Sequence, residues 1–198
     1  MREPGGPAAQ SPADAGAPRH EPRVELRPLR RRDRRAFIRL RDQNWEWLRP
    51  WEAVDPSADA PASSAAVFRS LRRSDRLGST ATLAVEVEGR LTGLVMIGPM
   101  MWGAVSTAPI GYWIEESAAG CGVMTRALRL ALDYCFEDLA LHRVTAQIQP
   151  SNTASLRVAH KVGLRREGLL TGSMHVNGAW RDHLLLAVTA EEHRPLNP

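Results

Sequence analysis

A loop with two glycines is the first stretch of this sequence whose residue types suggest chemistry. Residues 110–125 read as a strand, then a loop that contains Gly120 and Gly122, then the start of a long helix. The first N–H groups of a helix lack partners and the helix dipole is positive there. Glycine also lets an anion approach the backbone because it has no Cβ. The pattern predicts a phosphate site, with pyrophosphate as the natural ligand, against the simpler interpretation of a tight turn.

The spacing around this loop excludes two other phosphate-binding motifs. No Gly-Lys-Ser or Gly-Lys-Thr follows it, so it is not a P-loop. A third glycine is missing, so it does not match the fingerprint of dinucleotide-binding proteins either.

A second polar pair stands at the start of a short helix predicted over residues 152–162. Asn152 follows Pro150 closely and is an N-cap by sequence. Ser155 lies three residues later, one turn along the same face of the helix. Its hydroxyl is a candidate proton donor, and a small packing residue is the alternative interpretation.

Five side chains are candidates for a general base, and the sequence does not rank them. They are Glu115, Glu116, Glu167, His175 and Asp182. We take Glu115, at the end of the strand before the glycine loop, as the candidate base to test.

Tryptophans and arginines crowd the first quarter of the chain. Trp45, Trp47 and Trp51 lie within seven positions and cannot all face one core. Either at least one of them forms an aromatic wall of a pocket, or they anchor the core. Residues 27–41 contain eight arginines, which indicates either a solvated helix face or a surface that docks on RNA.

The elements that must position these residues follow from hydrophobic periodicity. Strands are predicted over residues 24–27, 80–87, 91–101, 109–115, 143–148, 164–170 and 180–188, and helices over residues 30–41, 63–71, 124–136 and 152–162. In the stretch 44–51, Pro50 is expected to forbid a regular continuation. Glu88-Gly89-Arg90 and Asn177-Gly178 predict hairpin turns. The order predicts an α/β (α+β) fold with an antiparallel front and a central β-α-β crossover.

Composition narrows the class of protein. A length of 198 residues fits one domain, and 43% hydrophobic with 24% charged residues is ordinary for a soluble globular protein. Residues 1–23 are rich in Ala, Pro and Gly and predict a disordered tail, so the folded domain is expected over residues 24–192. No apolar run of about 18 residues occurs, and residues 1–23 lack the apolar region expected of a signal peptide. Cys121 and Cys135 have no metal-ligand spacing, so we expect a reduced cytoplasmic protein that binds no metal and no membrane.

The net positive charge of the chain is only a weak indication of a nucleic-acid partner. A net charge of +4 and a pI of about 9.8 favour nucleic acid as a partner. However, Lys161 is the only lysine, and Ala, Pro and Gly are abundant. A compositional bias toward arginine therefore accounts for part of the basicity.

The glycine loop carries a resemblance to a known family. Ala119-Gly120-Cys121-Gly122-Val123-Met124 resembles the acetyl-CoA pyrophosphate loop of the GCN5-related N-acetyltransferases (GNAT), written Gln/Arg-x-x-Gly-x-Gly/Ala. Gly122 matches the central glycine. Ala119 stands where Gln or Arg is usual and Met124 where a small residue is usual. A loop that binds through peptide N–H groups tolerates both changes.

Further segments are similar to one branch of that superfamily, the RimJ/RimL-like ribosomal-protein-alanine N-acetyltransferases. They are residues 44–51 (Asn-Trp-Glu-Trp-Leu-Arg-Pro-Trp), 141–146, 150–155, 161–168 and 177–183. Together the resemblance covers about residues 24–192. It implies the GNAT fold, a mixed central β-sheet of about seven strands with a splayed strand pair, flanked by about four helices.

The resemblance also implies roles for individual residues. Acetyl-CoA would lie in the gap between the strand that ends at Glu115 and the strand that begins at Arg143. N–H groups near Ile114 would polarise the thioester carbonyl, and Ser155 would protonate the departing thiolate. The implied cofactor-binding residues are Trp113, Ile114, Gly120, Cys121, Gly122, Val123, Met124, Thr125 and Asn152. The implied acceptor pocket contains Trp45, Trp47 and Trp51.

The acceptor is predicted from the chemistry of amines. Family members often place a tyrosine near the thiol, but residues 171–175 offer none. A peptide α-amine, with a pKa of about 7.7–8.0, is roughly 10% neutral at pH 7, against well under 0.1% for a lysine near 10.4. An α-amine therefore needs little more than a water path for its proton.

The sequence as a whole predicts an enzyme that acetylates the N-terminal α-amine of a ribosomal protein. The arginines would contact the ribosome, and the protein would be a monomer or a homodimer. Two alternatives stay open. One is acetylation of a small amine, such as an aminoglycoside, a polyamine or an amino acid. The other is a non-catalytic acetyl-CoA-binding protein.

Overall fold

Seven strands form one mixed sheet in the computed structural model, which describes residues 23–58 and 60–195. The tail predicted at residues 1–23 lies, apart from Arg23, outside the described residues. The strands are β1 (Val24–Pro28), β2 (Ala81–Val87), β3 (Arg90–Ile97), β4 (Thr107–Ile114), β5 (Arg143–Ile148), β6 (Arg165–Val176) and β7 (Ala179–Thr189). Their order across the sheet is β1-β2-β3-β4-β5-β7-β6. Every neighbouring pair is antiparallel except β4 and β5, which are parallel.

Five α-helices cover the two faces of this sheet. They are α1 (Arg34–Gln43), α2 (Trp45–Leu48), α3 (Ser64–Arg76), α4 (Val123–Asp133) and α5 (Thr153–Lys161). Helix α4 lies between the parallel strands β4 and β5 in the chain and supplies the crossover connection that parallel neighbours require. The GNAT fold predicted from the sequence is confirmed.

Alternating side chains of the strands feed two separate cores, as the pleat of a sheet demands. On one face, Val85 and Val95 pack with Leu128 and Leu132 of α4. On the other face, Ala84 and Leu94 pack with Phe37 of α1, Phe68 of α3 and partly buried Trp113. The rings of Phe37 and Phe68 are 5.4 Å apart between centroids, so α1 and α3 form one layer.

The segment around Pro50 is more regular than the sequence predicts. Residues 45–48 form the short helix α2, and Arg49–Trp51 add a 3-10 turn. Pro50 occupies the start of that turn, where a missing N–H leaves no hydrogen bond unmade. The α-helical stretch ends at Leu48, before Pro50, which agrees with the expectation that Pro50 prevents a regular continuation.

Several strand and helix ends also differ from prediction. β3 ends at Ile97 rather than at residue 101, because Gly98 has φ +121° and leaves the extended conformation. β6 runs to Val176 rather than to residue 170, with a register shift between Leu170 and Met174 that accommodates its polar stretch. The helix predicted over residues 63–71 continues to Arg76.

Candidate active site

The parallel strands β4 and β5 separate after three residue pairs. Pairing runs from Thr107 with Arg143 to Pro109 with Thr145 and then stops. The remainder of β4 is paired with β3 but not with β5. This gap is the splayed strand pair that the sequence resemblance implies.

Backbone groups of alternate β4 residues point into this gap. The Pro109 carbonyl accepts from Gly98 N–H of the β3 side at 2.8 Å, and Glu115 N–H donates to Thr92 at 2.8 Å. Because alternate residues of an antiparallel strand address opposite neighbours, Tyr112 and Ile114 direct their N–H and carbonyl groups toward β5. Their two N–H groups are the backbone donors available to a ligand in the gap.

Trp113 lies differently from its prediction as a cofactor-binding residue. It lies two residues before Glu115, whose N–H donates to β3, so its backbone addresses β3 rather than the gap. Its ring packs edge-on against Phe37 at 6.1 Å between centroids, in the α1–α3 layer. The structure therefore replaces Trp113 by Tyr112 in the candidate site.

The glycine loop follows β4 directly and leads into α4. Gly120 and Gly122 have φ +78° and +83°, a region that other residues enter only with strain. A Cβ built on either glycine meets nothing within 4 Å, so the loop backbone faces open space. Arg126 N–H donates to the Gly122 carbonyl at 3.0 Å and begins the intrahelical bonding of α4.

The N–H groups that precede this first bond form the candidate anion site. They belong to Val123, Met124 and Thr125, at the positive end of the α4 dipole. The side chains of Val123 and Met124 are buried in the core, so the unusual methionine does not obstruct the loop. Cys121 is exposed, with its Sγ 3.6 Å from the Ala119 carbonyl. A loop of this shape fits a pyrophosphate bound by peptide N–H groups.

Asn152 and Ser155 stand together at the start of α5. The Asn152 side-chain oxygen accepts Ser155 N–H at 3.0 Å, which confirms the predicted N-cap. Ser155 is half-buried, and its hydroxyl donates to the Tyr112 hydroxyl oxygen at 2.7 Å. Tyr112 in turn donates to the Ser155 carbonyl at 3.1 Å.

Tyr112 is the functional residue that the sequence interpretation missed. Burial disfavours the charged phenolate and raises the pKa of Tyr112 to about 12, against a smaller opposing effect of the Ser155 hydrogen bond. The phenol therefore stays neutral at physiological pH. We looked for a tyrosine in residues 171–175, whereas this one comes from β4. The available signal was the alternation of β4, which places Tyr112 on the face opposite Trp113.

An open cavity of about 550 Å³ lies beside the start of α5. Two tryptophans form its aromatic walls: Trp51, 39% exposed, and Trp180, 62% exposed. Its other lining residues are Pro50, Gln149, Pro150, Ser151, Asn177, Arg181 and Asp182. Because Ser151 precedes Asn152 directly, this cavity adjoins the Asn152–Ser155 cap.

The three predicted pocket tryptophans separate in the structure. Trp51 lines the cavity just described. Trp47 lies at the end of the gap, where its indole N–H donates to the Ile114 carbonyl at 3.1 Å. Trp45 stacks with the Arg41 guanidinium at 5.1 Å and lines a second cavity of about 450 Å³ between α1 and α3. The structure does not place Trp45 in the pocket with Trp51.

Of the five candidate bases, Asp182 lines the cavity. Its Oδ1 accepts Gly172 N–H at 2.8 Å, so one face of the carboxylate is fixed. Glu116 is exposed, and its backbone N–H donates to the Asn44 side chain at 2.9 Å. His175 packs against Trp180 at 5.8 Å between ring centroids.

The two remaining carboxylates are held by arginines. Glu115 is buried and bonded by both terminal nitrogens of Arg90, one of them at 3.0 Å. Hydrogen bonds from Arg143 lower the pKa of Glu167. Because its carboxylate is buried and engaged by Arg90, the geometry speaks against Glu115 as the base.

The described part of the chain has neither a cluster of metal ligands nor a membrane-spanning helix. Within residues 23–58 and 60–195, no group of three or more His, Cys, Asp or Glu side chains is arranged to hold a metal ion. No helix of this part of the chain is long and apolar enough to cross a bilayer.

Comparison with known proteins agrees with this geometry. Residues 23–165 match the acetyltransferase (GNAT) domain. The solved structure of Mycobacterium smegmatis RimJ in complex with CoA-disulfide is 42% identical, with a TM-score of 0.79 over 85% of this chain and 83% of that one. The probable N-acetyltransferase YjcK of Bacillus subtilis is 42% identical over 101 residues, 51% of this chain and only 56% of its own length.

A third relative aligns over nearly its whole length. The [ribosomal protein uS5]-alanine N-acetyltransferase of Escherichia coli is 27% identical over 176 residues, 87% of this chain and 91% of its own length. The chain belongs to the GNAT acetyltransferase family, in its RimJ/RimL-like branch.

Proposed function

We propose that this protein transfers an acetyl group from acetyl-CoA to the N-terminal α-amine of a ribosomal protein. The observation that carries the proposal is the hydrogen-bonded pair of Ser155 and Tyr112, 2.7 Å apart, beside the gap between β4 and β5. A neutral donor pair next to two free strand N–H groups suits a reaction that develops charge on a carbonyl oxygen and then on a sulfur.

Binding of the donor substrate is assigned to backbone groups. The N–H groups of Val123, Met124 and Thr125 would bind the pyrophosphate, since Gly120 and Gly122 leave the approach open. The N–H groups of Tyr112 and Ile114 would bond the acyl and pantetheine part and stabilise negative charge on the thioester oxygen. Asn152 remains a proposed contact of the same arm.

The reaction requires two proton transfers, one from the attacking amine and one to the departing sulfur. The neutral amine attacks the carbonyl carbon, the C–S bond breaks, and the amine proton leaves through water. The sulfur departs as a thiolate and takes a proton from the Ser155 hydroxyl. Tyr112 donates a proton to Ser155 in turn and regains one from solvent, so the pair is restored. Asp182 is placed to bond the ammonium form of an acceptor in the cavity.

The acceptor class follows from how little base the site offers. Glu115 and Glu167 are paired with arginines, and Asp182 has one oxygen engaged. A terminal α-amine is already about 10% neutral at pH 7, whereas a lysine amine is not. The broad open cavity with Trp51 and Trp180 suits the first residues of a peptide. A ribosomal acceptor would place the protein in the cytoplasm.

The test is a panel of amines incubated with the protein and acetyl-CoA and read by mass spectrometry. We expect acetylation of peptides with a free Ala or Ser terminus. The same peptides with a blocked terminus and a lysine are the matched control and should stay unmodified. Faster acetylation of spermidine or an aminoglycoside would replace the ribosomal acceptor by a small amine. Binding of acetyl-CoA without release of thiol for any amine would identify a non-catalytic protein.

A further inference from the structure

The layer formed by α1 and α3 carries six exposed arginines in two helical stripes. Arg31, Arg35 and Arg39 follow one another at intervals of four residues, from the 3-10 turn before α1 into that helix. Arg69, Arg73 and Arg76 have the i, i+4, i+7 spacing of one face of α3. We call these six residues the arginine face.

Carboxylates do not neutralise this face. Among the described residues, none of the six arginines forms an ion pair. The acidic residues of the same elements are engaged elsewhere: Asp33 bonds Arg27, Asp42 accepts the Ser64 hydroxyl, and Asp75 accepts Thr80 and Thr82.

A general excess of arginine in the sequence explains the number of arginines on this face. It does not explain why they lie there without carboxylate partners. In the β5–β7–β6 part of the sheet, Arg143 and Arg165 share Glu167, and Arg165 also bonds Glu192. Those arginines have carboxylate partners, whereas the arginine face presents unpaired guanidinium groups to solvent. Six such groups on one layer form a strong positive field, and their natural partner is a polyanion with regularly spaced charges.

The position of the face relates it to the acceptor cavity. α1 continues through α2 into Trp51, which lines that cavity. Buried Arg41 bonds both Ser64, at the start of α3, and Glu52, next to Trp51. A partner bound on the arginine face is therefore held beside the cavity by a rigidly connected segment.

We infer that the arginine face docks on the phosphate backbone of RNA and so delivers the acceptor cavity to protein termini on an RNA-containing particle. The choice of RNA over other polyanions rests on the proposed ribosomal acceptor. Guanidinium groups bond phosphate oxygens in pairs, and backbone contacts of this kind do not depend on base sequence.

The experiment measures binding of the full chain to a fluorescein-labelled 20-bp RNA duplex by anisotropy over a series of KCl concentrations. Two complementary variants, R35Q/R39Q/R73Q and R31Q/R69Q/R76Q, each remove three charges from the face. R129Q/R166Q/R194Q removes three exposed charges elsewhere and is the matched control. Initial rates with a free Ala peptide are recorded for each protein.

We expect each face variant to weaken RNA binding at least tenfold and to reduce the slope of log K against log [salt] by about two to three, because roughly 0.7–0.9 of a counterion is released per phosphate contact. The control should bind within about twofold of the wild type, and peptide rates should stay unchanged in all three. Equal loss of RNA binding in face and control variants overturns the inference. So does equally effective competition by poly-L-glutamate at the same charge concentration, which would assign the face to an acidic protein. Peptide rates report separately on the proposed function.

Discussion

The Ser155 hydroxyl donates to the Tyr112 hydroxyl over 2.7 Å, although the two residues are 43 positions apart in the chain. One comes from the first turn of α5 and the other from the strand that borders the gap. The pair joins the two sides of the candidate site, and its two hydroxyls give the site a donor that stays protonated at neutral pH.

Ser155→Ala and Tyr112→Phe are expected to lower kcat at least tenfold and to change KM for acetyl-CoA less than twofold. A proton donor that acts as the thiolate leaves contributes in the transition state and not in the ground state. If the hydroxyls act as a unit, the double variant should be no slower than the slower single variant. Tyr134→Phe, which alters the other tyrosine of the chain, is the matched control. A kcat equal to that of the wild type in both single variants would show that the two side chains contribute only to packing.

The pH dependence tests the same pair and the acceptor together. With an α-amine acceptor, the rate should rise with pH and level off near the amine pKa of about 8, without a limb from an enzyme carboxylate. Because the pKa of Tyr112 is raised to about 12, no decline should appear below pH 10. Folding favours the neutral phenol, so the unfolding free energy should fall as pH rises from 10 toward 12. A decline in rate between pH 8 and 9 would contradict this assignment.

Gly122→Asp is expected to weaken acetyl-CoA binding at least tenfold in calorimetry. The new carboxylate and its Cβ would both face the space into which the α4 N–H groups point. Gly122→Ala separates strain from charge, because it keeps the positive φ of +83° without the negative charge. Gly89→Asp places the same residue at φ +75° in the β2–β3 turn and should bind normally. Unchanged affinity in a folded Gly122→Asp protein would remove the loop assignment.

Trp51→Ala should raise KM for a peptide acceptor about fivefold to tenfold and leave the affinity for acetyl-CoA unchanged. The side chain forms a wall of the acceptor cavity, and an aromatic contact with a peptide contributes on the order of 1 kcal/mol. Trp102→Ala is the control, since Trp102 is 54% exposed in the β3–β4 loop and lines no part of this cavity. Equal effects of the two substitutions on KM would show that the acceptor does not bind against Trp51.

Arg41→Ala should reduce the unfolding free energy by about 2–4 kcal/mol in urea denaturation, because removal of one partner from a buried pair leaves the other unpaired. Arg41 is 5% exposed and bonds Glu52 and Ser64 while stacking on Trp45. Arg34→Ala removes an exposed arginine from the same helix and should cost less than about 0.5 kcal/mol.

Features that depend on a few neighbouring residues could be predicted from the sequence. The conformation of Gly120 and Gly122 is local, and so is the cap that Asn152 forms on Ser155. Pairing across the chain could not be read in this way. Nothing near Tyr112 in sequence indicates Ser155, and only the packing of α5 on β4 brings them together. Likewise, Arg90 of β3 forms an ion pair with Glu115. The side chain chosen as the candidate base therefore already has a partner.

The three tryptophans show the same limit at shorter range. Their seven-residue cluster correctly indicated that they do not share one core. Their directions depend on how α2 passes into the 3-10 turn at Arg49–Trp51. A rotation of about 100° per residue sends Trp45, Trp47 and Trp51 to different surroundings. The turn forms because Pro50 suits its first positions. The sequence alone did not indicate where this turn begins.

The early separation of β4 and β5 divides the sheet mechanically. Beyond Pro109, it consists of two ribbons, β1–β4 and β5–β7, hinged at three residue pairs around the fully buried Ala108 and Val144. Each ribbon keeps its own hydrogen bonds, so the slot between them can widen or narrow without breaking either ladder. We therefore expect larger side chains at Ala108 or Val144 to change the stiffness of this hinge and, through it, the rate of product release.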